Sequence, residues 1–209
     1  PNLRPYGDSP SHGRAGRGNR LTRPPRWARV RRPPGAVDSL LEQMMSVPVA
    51  SHAFDLDLGP VTTGGGALLP HASLRYRTWG DPALGRRNGW ILIIHALTGN
   101  ADVDAWWDDI IGPGRPIDTD RHAVVAANLL GSCYGSTGPA SEPYASGVPF
   151  PRLDTADLAR AHFPLFAHLG IERLALVTGA SLGGMVVLQV GRLSPVPIDR
   201  LVVFAAPAT

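Results

Sequence analysis

The residues with the clearest chemical potential form a G-x-S-x-G pattern at positions 179–183, with Ser181 at its centre. An apolar run at 174–178 leads directly into this pattern, and a helix-compatible stretch from Ser181 to about Leu193 leads out. A serine on such a sharp strand-to-helix turn presents its hydroxyl beside a helix N-terminus, which favours developing negative charge. The pattern therefore predicts Ser181 as the nucleophile of an acyl-transfer reaction.

A glycine-rich strand–helix turn with an N-cap serine, as in many dinucleotide folds, is the alternative interpretation. The pentapeptide alone does not separate the two. The flanking strand, the following helix and Gly184 together favour the nucleophile, and no lysine follows to make a phosphate-binding loop.

A second segment, HALTG at residues 95–99, directly follows the buried-type run WILII. In the fold built around such a serine, this loop gives one backbone N–H to the oxyanion, and the residue after the serine gives the other. We therefore predict Leu97 and Leu182 as the oxyanion-hole donors. His95 is predicted to brace the loop, because in this fold the chain order is serine, then acid, then histidine.

A long loop at residues 128–151 is dense in glycine, serine and proline, which is typical of a functional segment. Its cysteine, Cys133, has no evident base partner, so we expect a small buried residue. The seven histidines show no ligand-type spacing, and no metal site is predicted.

These segments need a sheet to position them. Alternating runs at 54–58 and 73–79, joined by a turn at 62–66, predict a hairpin, and continuous apolar runs predict buried parallel strands. Those runs lie at 90–95, 123–128, 174–178 and 201–205, with a helix predicted at 155–169 between them. The pattern predicts an α/β fold, the α/β-hydrolase fold, with a mostly parallel sheet and flanking helices.

The 209 residues fit one domain, at 46–209, after an Arg-, Pro- and Gly-rich extension at 1–45 that we expect to be disordered. The net charge of +3 does not indicate nucleic-acid binding. Nine of the 20 basic residues but only three of the 17 acidic residues lie in that extension, so the domain is mildly acidic. No apolar run is long enough for a membrane span, and one cysteine favours a reducing, cytoplasmic compartment.

Together the motifs resemble the homoserine O-acetyltransferase family. The resemblance covers about residues 54–209 and rests on RYRTWGDP, HALTG, GPGRPIDTDR, NLLGSCYGSTGPAS, FPRLDTADLARAH and LGIERLALVTGASLGGM. It implies ping-pong transfer of an acetyl or succinyl group from acyl-CoA to the hydroxyl of L-homoserine, in methionine biosynthesis. It also implies no cofactor beyond the co-substrate acyl-CoA, and a homodimeric full-length protein.

The same resemblance points to substrate-binding residues in the two loops: Thr98, Gly99, Gly135, Ser136, Thr137 and Gly138. The family usually has GGSMGGM at the serine and GGC in the loop, where this chain has GASLGGM and GSC. These differences leave the acyl donor and the acceptor, homoserine or serine, open.

The acid and histidine that complete the catalytic triad are expected to be absent from this chain. All seven histidines precede Ser181, and Asp199, the only acid after it, starts a strand. We therefore expect an N-terminal portion, truncated after the strand that follows the nucleophile helix and inactive alone. The alternatives are an esterase or thioesterase of the same fold, or a non-catalytic binding module.

Overall fold

The computed structural model describes residues 52–207, so the predicted extension at 1–45 lies outside the described residues. Six strands form the main sheet in the order β1-β2-β6-β3-β7-β8, and two short strands, β4 and β5, form a separate parallel pair. The strands are β1 His52–Thr62, β2 Leu68–Trp79, β3 Trp90–Ile94, β4 Ile111–Gly112, β5 Ile117–Asp118, β6 Val124–Ala127, β7 Leu174–Ala180 and β8 Leu201–Phe204.

The strand directions confirm the predicted mostly parallel sheet with an antiparallel lead-in. β1 pairs antiparallel with β2, with Phe54 opposite Tyr76, and β2 pairs antiparallel with β6. The pairs β6–β3, β3–β7 and β7–β8 are all parallel. The carboxyl ends of β3, β6 and β7 therefore meet at one edge of the sheet, where loops can converge.

Five α-helices accompany the sheet in the described part of the chain: α1 Pro82–Asn88, α2 Val103–Trp106, α3 Thr155–Arg160, α4 Phe163–Leu169 and α5 Leu182–Leu193. The prediction of a single helix at 155–169 was wrong, because α3 and α4 are separate helices. Pro164 lies in the first turn of α4. Proline has no N–H to donate and its ring clashes with the carbonyl four residues earlier, so the helix must restart there.

The central strand β3 is buried on both faces, as its continuous apolar run predicts. Leu92 and Ile94 belong to a core cluster that includes Val187 of α5. Ile91 and Ile93 belong to a second cluster on the opposite face of the sheet. β8 is an edge strand of the sheet, and its apolar side chains are largely exposed.

The segment predicted as a long loop, 128–151, contains one 3-10 turn, Tyr144–Ser146, and is otherwise irregular. Tyr144 is buried and packs edge-on against Phe150, with ring centroids 4.8 Å apart. The prediction that Cys133 is buried was wrong, since its side chain is exposed. Within residues 52–207, no helix is both long enough and apolar enough to cross a lipid bilayer.

Candidate active site

Ser181 lies on the turn between β7 and α5 with φ 52° and ψ −122°. A non-glycine residue rarely adopts positive φ, and holding it there costs about 1–3 kcal/mol. Backbone hydrogen bonds hold the turn on both sides. The Ser181 N–H donates to the Phe204 carbonyl oxygen at 3.0 Å, and the Ser181 carbonyl accepts the Met185 N–H at 3.1 Å. The side chain is exposed, so its hydroxyl is accessible to a substrate.

The two glycines of the G-x-S-x-G pattern are required by close backbone contacts. A Cβ on Gly179 would lie 2.7 Å from the Ile94 carbonyl oxygen. A Cβ on Gly183 would overlap that same oxygen and lie 2.6 Å from the His95 carbonyl oxygen. Both glycines therefore let the turn sit directly against the end of β3, which brings Ser181 next to the HALTG loop.

His95 begins that loop and is buried at 2% exposure. Its Nδ1 lies 2.7 Å from the Ala96 carbonyl oxygen, and its Nε2 accepts the Leu129 N–H at 3.0 Å. Burial lowers the pKa of His95 below its ordinary value, and the bond to Ala96 only partly opposes this. With both ring nitrogens bonded to backbone groups, His95 braces the loop, and neither nitrogen is left to act as a base.

A cavity of about 470 Å³ opens beside the turn. Both Leu97 and Leu182 line it, so the structure brings the two predicted oxyanion donors to one site. Most of the remaining wall is apolar and comes from segments after β6 and before α3, including Leu130, Phe150 and Leu153. Such a wall suits a carbon chain and keeps water away from a reacting carbonyl.

The predicted substrate-binding residues are distributed over different sites. Thr98 and Gly99 line a smaller cavity of about 260 Å³ together with Trp106 and Ala180. Gly135, with φ +104°, lies so close to the Arg75 guanidinium that a Cβ would be 2.7 Å from it. Gly135 lines a third cavity, on the Arg75 side of the loop.

Ser136 and Thr137 are buried against β2, with their hydroxyls bonded to backbone groups. The Ser136 Oγ accepts the Arg75 N–H at 2.9 Å and donates to the Asn128 carbonyl at 2.6 Å. The Thr137 Oγ1 accepts the Ser73 N–H at 2.9 Å. Position 138 requires glycine, because a Cβ there would overlap the Ser132 carbonyl oxygen. Contact of these three residues with a substrate stays a prediction; here they fix the path of the loop.

The loop 128–151 lines much of the main cavity, but the predicted substrate-binding residues did not include Gly131, Ser132, Cys133 and Tyr134, which are among its lining residues. The prediction also left out Asn128, which is buried and bonded at both ends of its side chain. Asn128 Oδ1 accepts the Ala101 N–H at 2.7 Å, and its Nδ2 donates to the Tyr134 carbonyl. An asparagine directly after a buried strand was the one available signal.

A carboxylate–histidine pair is not present beside Ser181 among residues 52–207. His95 is the one histidine of this region that lines the main cavity. Asp199 pairs with Arg173 and precedes β8, so it lies at the amino ends of the parallel strands, opposite Ser181. Within the same residues, no group of three or more side chains is arranged to hold a metal ion.

Comparison with known proteins decides the family. A family model described as alpha/beta hydrolase fold matches residues 89–209, which is more than half of the chain. The chain belongs to the α/β-hydrolase fold family. The topology around β3, β7 and α5 is therefore that of a family in which this serine position is the nucleophile.

The curated relatives of this α/β-hydrolase agree with the resemblance drawn from its motifs. It is 47% identical over 160 residues to a homoserine O-succinyltransferase of a Nocardioides species, covering 70% of this chain and 43% of that protein. It is 48% identical over 140 residues to a homoserine O-acetyltransferase of Chlorobium luteolum, covering 65% and 39%. The chain thus spans about two fifths of the length of the curated relatives it matches.

Solved structures give the same fold. A homoserine O-acetyltransferase from Bacillus anthracis is 28% identical with a TM-score of 0.66, over 75% of this chain and 47% of that one. The esterase E22 is 26% identical with a TM-score of 0.65, over 74% and 47%. The resemblance to homoserine acyltransferases is confirmed, with esterases as structural neighbours.

Proposed function

We propose that the protein is an O-acyltransferase that moves an acetyl or succinyl group from acyl-CoA to the hydroxyl of L-homoserine. The observation that carries the proposal is the strained Ser181 turn beside a cavity that Leu97 and Leu182 both line. Relatives named homoserine O-succinyltransferase and homoserine O-acetyltransferase, at 47% and 48% identity, support the choice of acceptor.

The reaction has two halves. The Ser181 Oγ attacks the thioester carbonyl and loses its proton to a base, the carbon–sulfur bond breaks, and CoA leaves as the protonated thiol. The homoserine hydroxyl then attacks the acyl-serine ester, and Ser181 recovers its proton as the product leaves. In both tetrahedral intermediates the negative oxygen accepts hydrogen bonds from the Leu97 and Leu182 amides.

The proton acceptor in this proposal is a histidine held by an acid, both following the nucleophile helix in the order usual for the fold. Residues 52–207 do not supply it beside Ser181, because His95 is bonded to backbone at both ring nitrogens. We assign both groups to the whole protein, since the curated relatives are more than twice as long as the matched part.

Transfer rather than hydrolysis requires that an alcohol, and not water, reach the acyl-serine. The apolar wall formed by Leu130, Phe150 and Leu153 supports this, because it offers water few hydrogen-bond partners. We further propose a cytoplasmic homodimer that uses acyl-CoA as its co-substrate and needs no other cofactor.

An esterase is the second candidate, favoured by the likeness to esterase E22. The two functions separate when the protein from the full reading frame is incubated with acetyl-CoA or succinyl-CoA and L-homoserine. Mass spectrometry is expected to detect O-acyl-homoserine and an acyl group on Ser181, and neither in the Ser181→Ala variant. Free acid without O-acyl-homoserine would favour the esterase, and no release of CoA would contradict the acyltransferase.

A further inference from the structure

We infer that His95 and Asn128 are positioning residues that clamp the two ends of the oxyanion loop, residues 96–100, onto the chain segment that follows β6. The inference rests on the proposed function, because it concerns how the Leu97 amide is held for the oxyanion. It adds a role for two residues that do not donate to the oxyanion themselves: His95, which follows β3, and Asn128, which follows β6.

The first contact of the clamp fixes the protonation of His95. The Leu129 backbone N–H can only donate, so the Nε2 atom 3.0 Å away must accept. The Ala96 carbonyl can only accept, so the Nδ1 atom 2.7 Å away must carry the proton. His95 therefore acts as a neutral imidazole with its proton on Nδ1, and no other form satisfies both partners.

The second contact lies at the other end of the loop. The Ala101 N–H donates to Asn128 Oδ1 at 2.7 Å, and Asn128 Nδ2 donates to the Tyr134 carbonyl. These backbone partners fix the orientation of the amide in the same way as those of His95. Tyr134 lines the main cavity, so one side chain joins the oxyanion loop to the cavity wall.

The two residues after β6 that take part in the clamp, Asn128 and Leu129, are consecutive in the chain, and Asn128 is itself held. The Asn128 N–H donates to the Arg75 carbonyl at 2.8 Å, and its own carbonyl accepts the Ser136 hydroxyl at 2.6 Å. His95 and Asn128 are 2% and 3% exposed, so water cannot readily replace either bond. Through these bonds the clamp ties the oxyanion loop to the hydrogen-bonded pair β2–β6.

Neutral His95 is consistent with its surroundings. Burial lowers the pKa of His95, and the bond to the Ala96 carbonyl only partly opposes this. A protonated His95 would direct a second N–H at the Leu129 N–H and release the loop.

A misplaced oxyanion donor costs roughly 10²-fold or more in rate, since this contact matters mainly in the transition state. We therefore expect His95→Leu to lower kcat for acyl transfer about 10²-fold with little change in KM. His95→Gln keeps an acceptor within reach of Leu129 and is expected to recover much of that loss. His168→Gln, at an exposed position on α4, is the matched control and is expected to keep full activity. Equal losses in the Leu and Gln variants would overturn the inference.

A second measurement does not depend on activity. In the ¹⁵N-labelled protein, an N–H···N bond gives a nuclear spin coupling between the Leu129 amide nitrogen and His95 Nε2. We expect this coupling, with the imidazole proton on Nδ1. Absence of the coupling, or a proton on Nε2, would overturn the inference even in an active enzyme. A protein that shows the coupling but accepts no acyl group would instead contradict the proposed function.

Discussion

The Ser181 N–H donates to the carbonyl oxygen of Phe204 at 3.0 Å, so the turn between β7 and α5 is tied to the neighbouring strand β8. Ser181 follows the last residue of β7, and Phe204 is the last residue of β8. The β7–β8 ladder therefore continues one residue into the turn. That bond helps to hold Ser181 at positive φ, where an isolated chain would relax to an extended or helical conformation.

The strain at Ser181 gives a prediction that separates chemistry from stability. Ser181→Ala removes the nucleophile but keeps a Cβ at φ 52°, whereas Ser181→Gly removes both. We expect neither variant to form an acyl-enzyme. We expect the free energy of unfolding of the Gly variant to exceed that of the Ala variant by about 1 kcal/mol. Glycine relieves the backbone strain at positive φ, and the greater flexibility of glycine in the unfolded chain offsets part of that gain. Denaturant titration measures the difference, and a more stable Ala variant would contradict the strain.

The contact between α5 and β3 gives a second prediction. Gly183→Ala forces a Cβ into the Ile94 and His95 carbonyl oxygens, which are backbone atoms that cannot move aside. We expect the free energy of unfolding to fall by about 2 kcal/mol or more. We also expect the folded variant to be acylated more slowly than the wild-type protein, because the Ser181 turn is displaced. Gly191→Ala, in the same helix, meets the flexible end of the Leu201 side chain and is the control. Equal stabilities of the two variants would contradict the interpretation that the contact between α5 and β3 requires glycine at position 183.

Acid sensitivity is expected from His162, whose pKa burial lowers to about 4, opposed in part by its bond to the Leu158 carbonyl. The unfolded chain takes up this proton near pH 6.5 and the folded protein only near pH 4, so stability falls as pH falls through this window. The full loss amounts to about 3 kcal/mol.

Urea titrations at pH 6.5 and pH 5 measure this effect. The wild-type protein is expected to lose about 2 kcal/mol between them through His162 alone, and His162→Gln removes that part. The slope with pH is the readout, since the substitution also changes the stability at neutral pH. An unchanged slope in the variant would show that His162 is not the group responsible.

Asp157 links the β1–β2 turn to the start of α3. Its buried carboxylate accepts the Gly64 N–H at 2.7 Å and the Asp154 N–H at 3.2 Å, the latter as part of a capping box. Asp157→Ala leaves both donors unpaired, so we expect a loss of about 2 kcal/mol in the free energy of unfolding. Asp120→Ala, at an exposed position, is expected to change it by less than about 0.5 kcal/mol. Similar values for the two variants would argue against the link.

Ser136 tests two interpretations of the loop after β6. The family resemblance predicts substrate contact, whereas the structure has its hydroxyl bonded to Arg75 N–H and Asn128 carbonyl. If the hydroxyl only fixes the loop, Ser136→Ala loses about 2 kcal/mol of stability and lowers kcat through Asn128, with KM nearly unchanged. A several-fold rise in KM at unchanged stability would instead support substrate contact.

The sequence was sufficient for the sheet and for the strand-to-helix turn at Ser181 because both depend on local patterns. The run at 90–94 is apolar at every position, which only a strand covered on both faces tolerates in a protein of this kind. The turn at Ser181 was predictable because the glycines two residues before and after it, together with the flanking elements, leave few other turns available.

The loop after β6 could not be predicted in the same way. Its path is set by bonds between residues far apart in the chain, such as Ser136 to Arg75 and Thr137 to Ser73. These bonds decide that Ser136 faces β2 while Cys133 and Tyr134 face the cavity, and no local spacing encodes that choice. The break between α3 and α4, in contrast, is encoded locally, because Pro164 can occupy the first turn of a helix but not its interior.

The exposure of Cys133 has a practical consequence. The chain has one cysteine, and that cysteine lines the cavity beside the Ser181 turn. On this chain, a thiol-reactive fluorophore would therefore attach at a single known position without any engineered substitution. Its emission would report changes in the occupancy of this cavity, so the chain carries a natural attachment point for an optical probe.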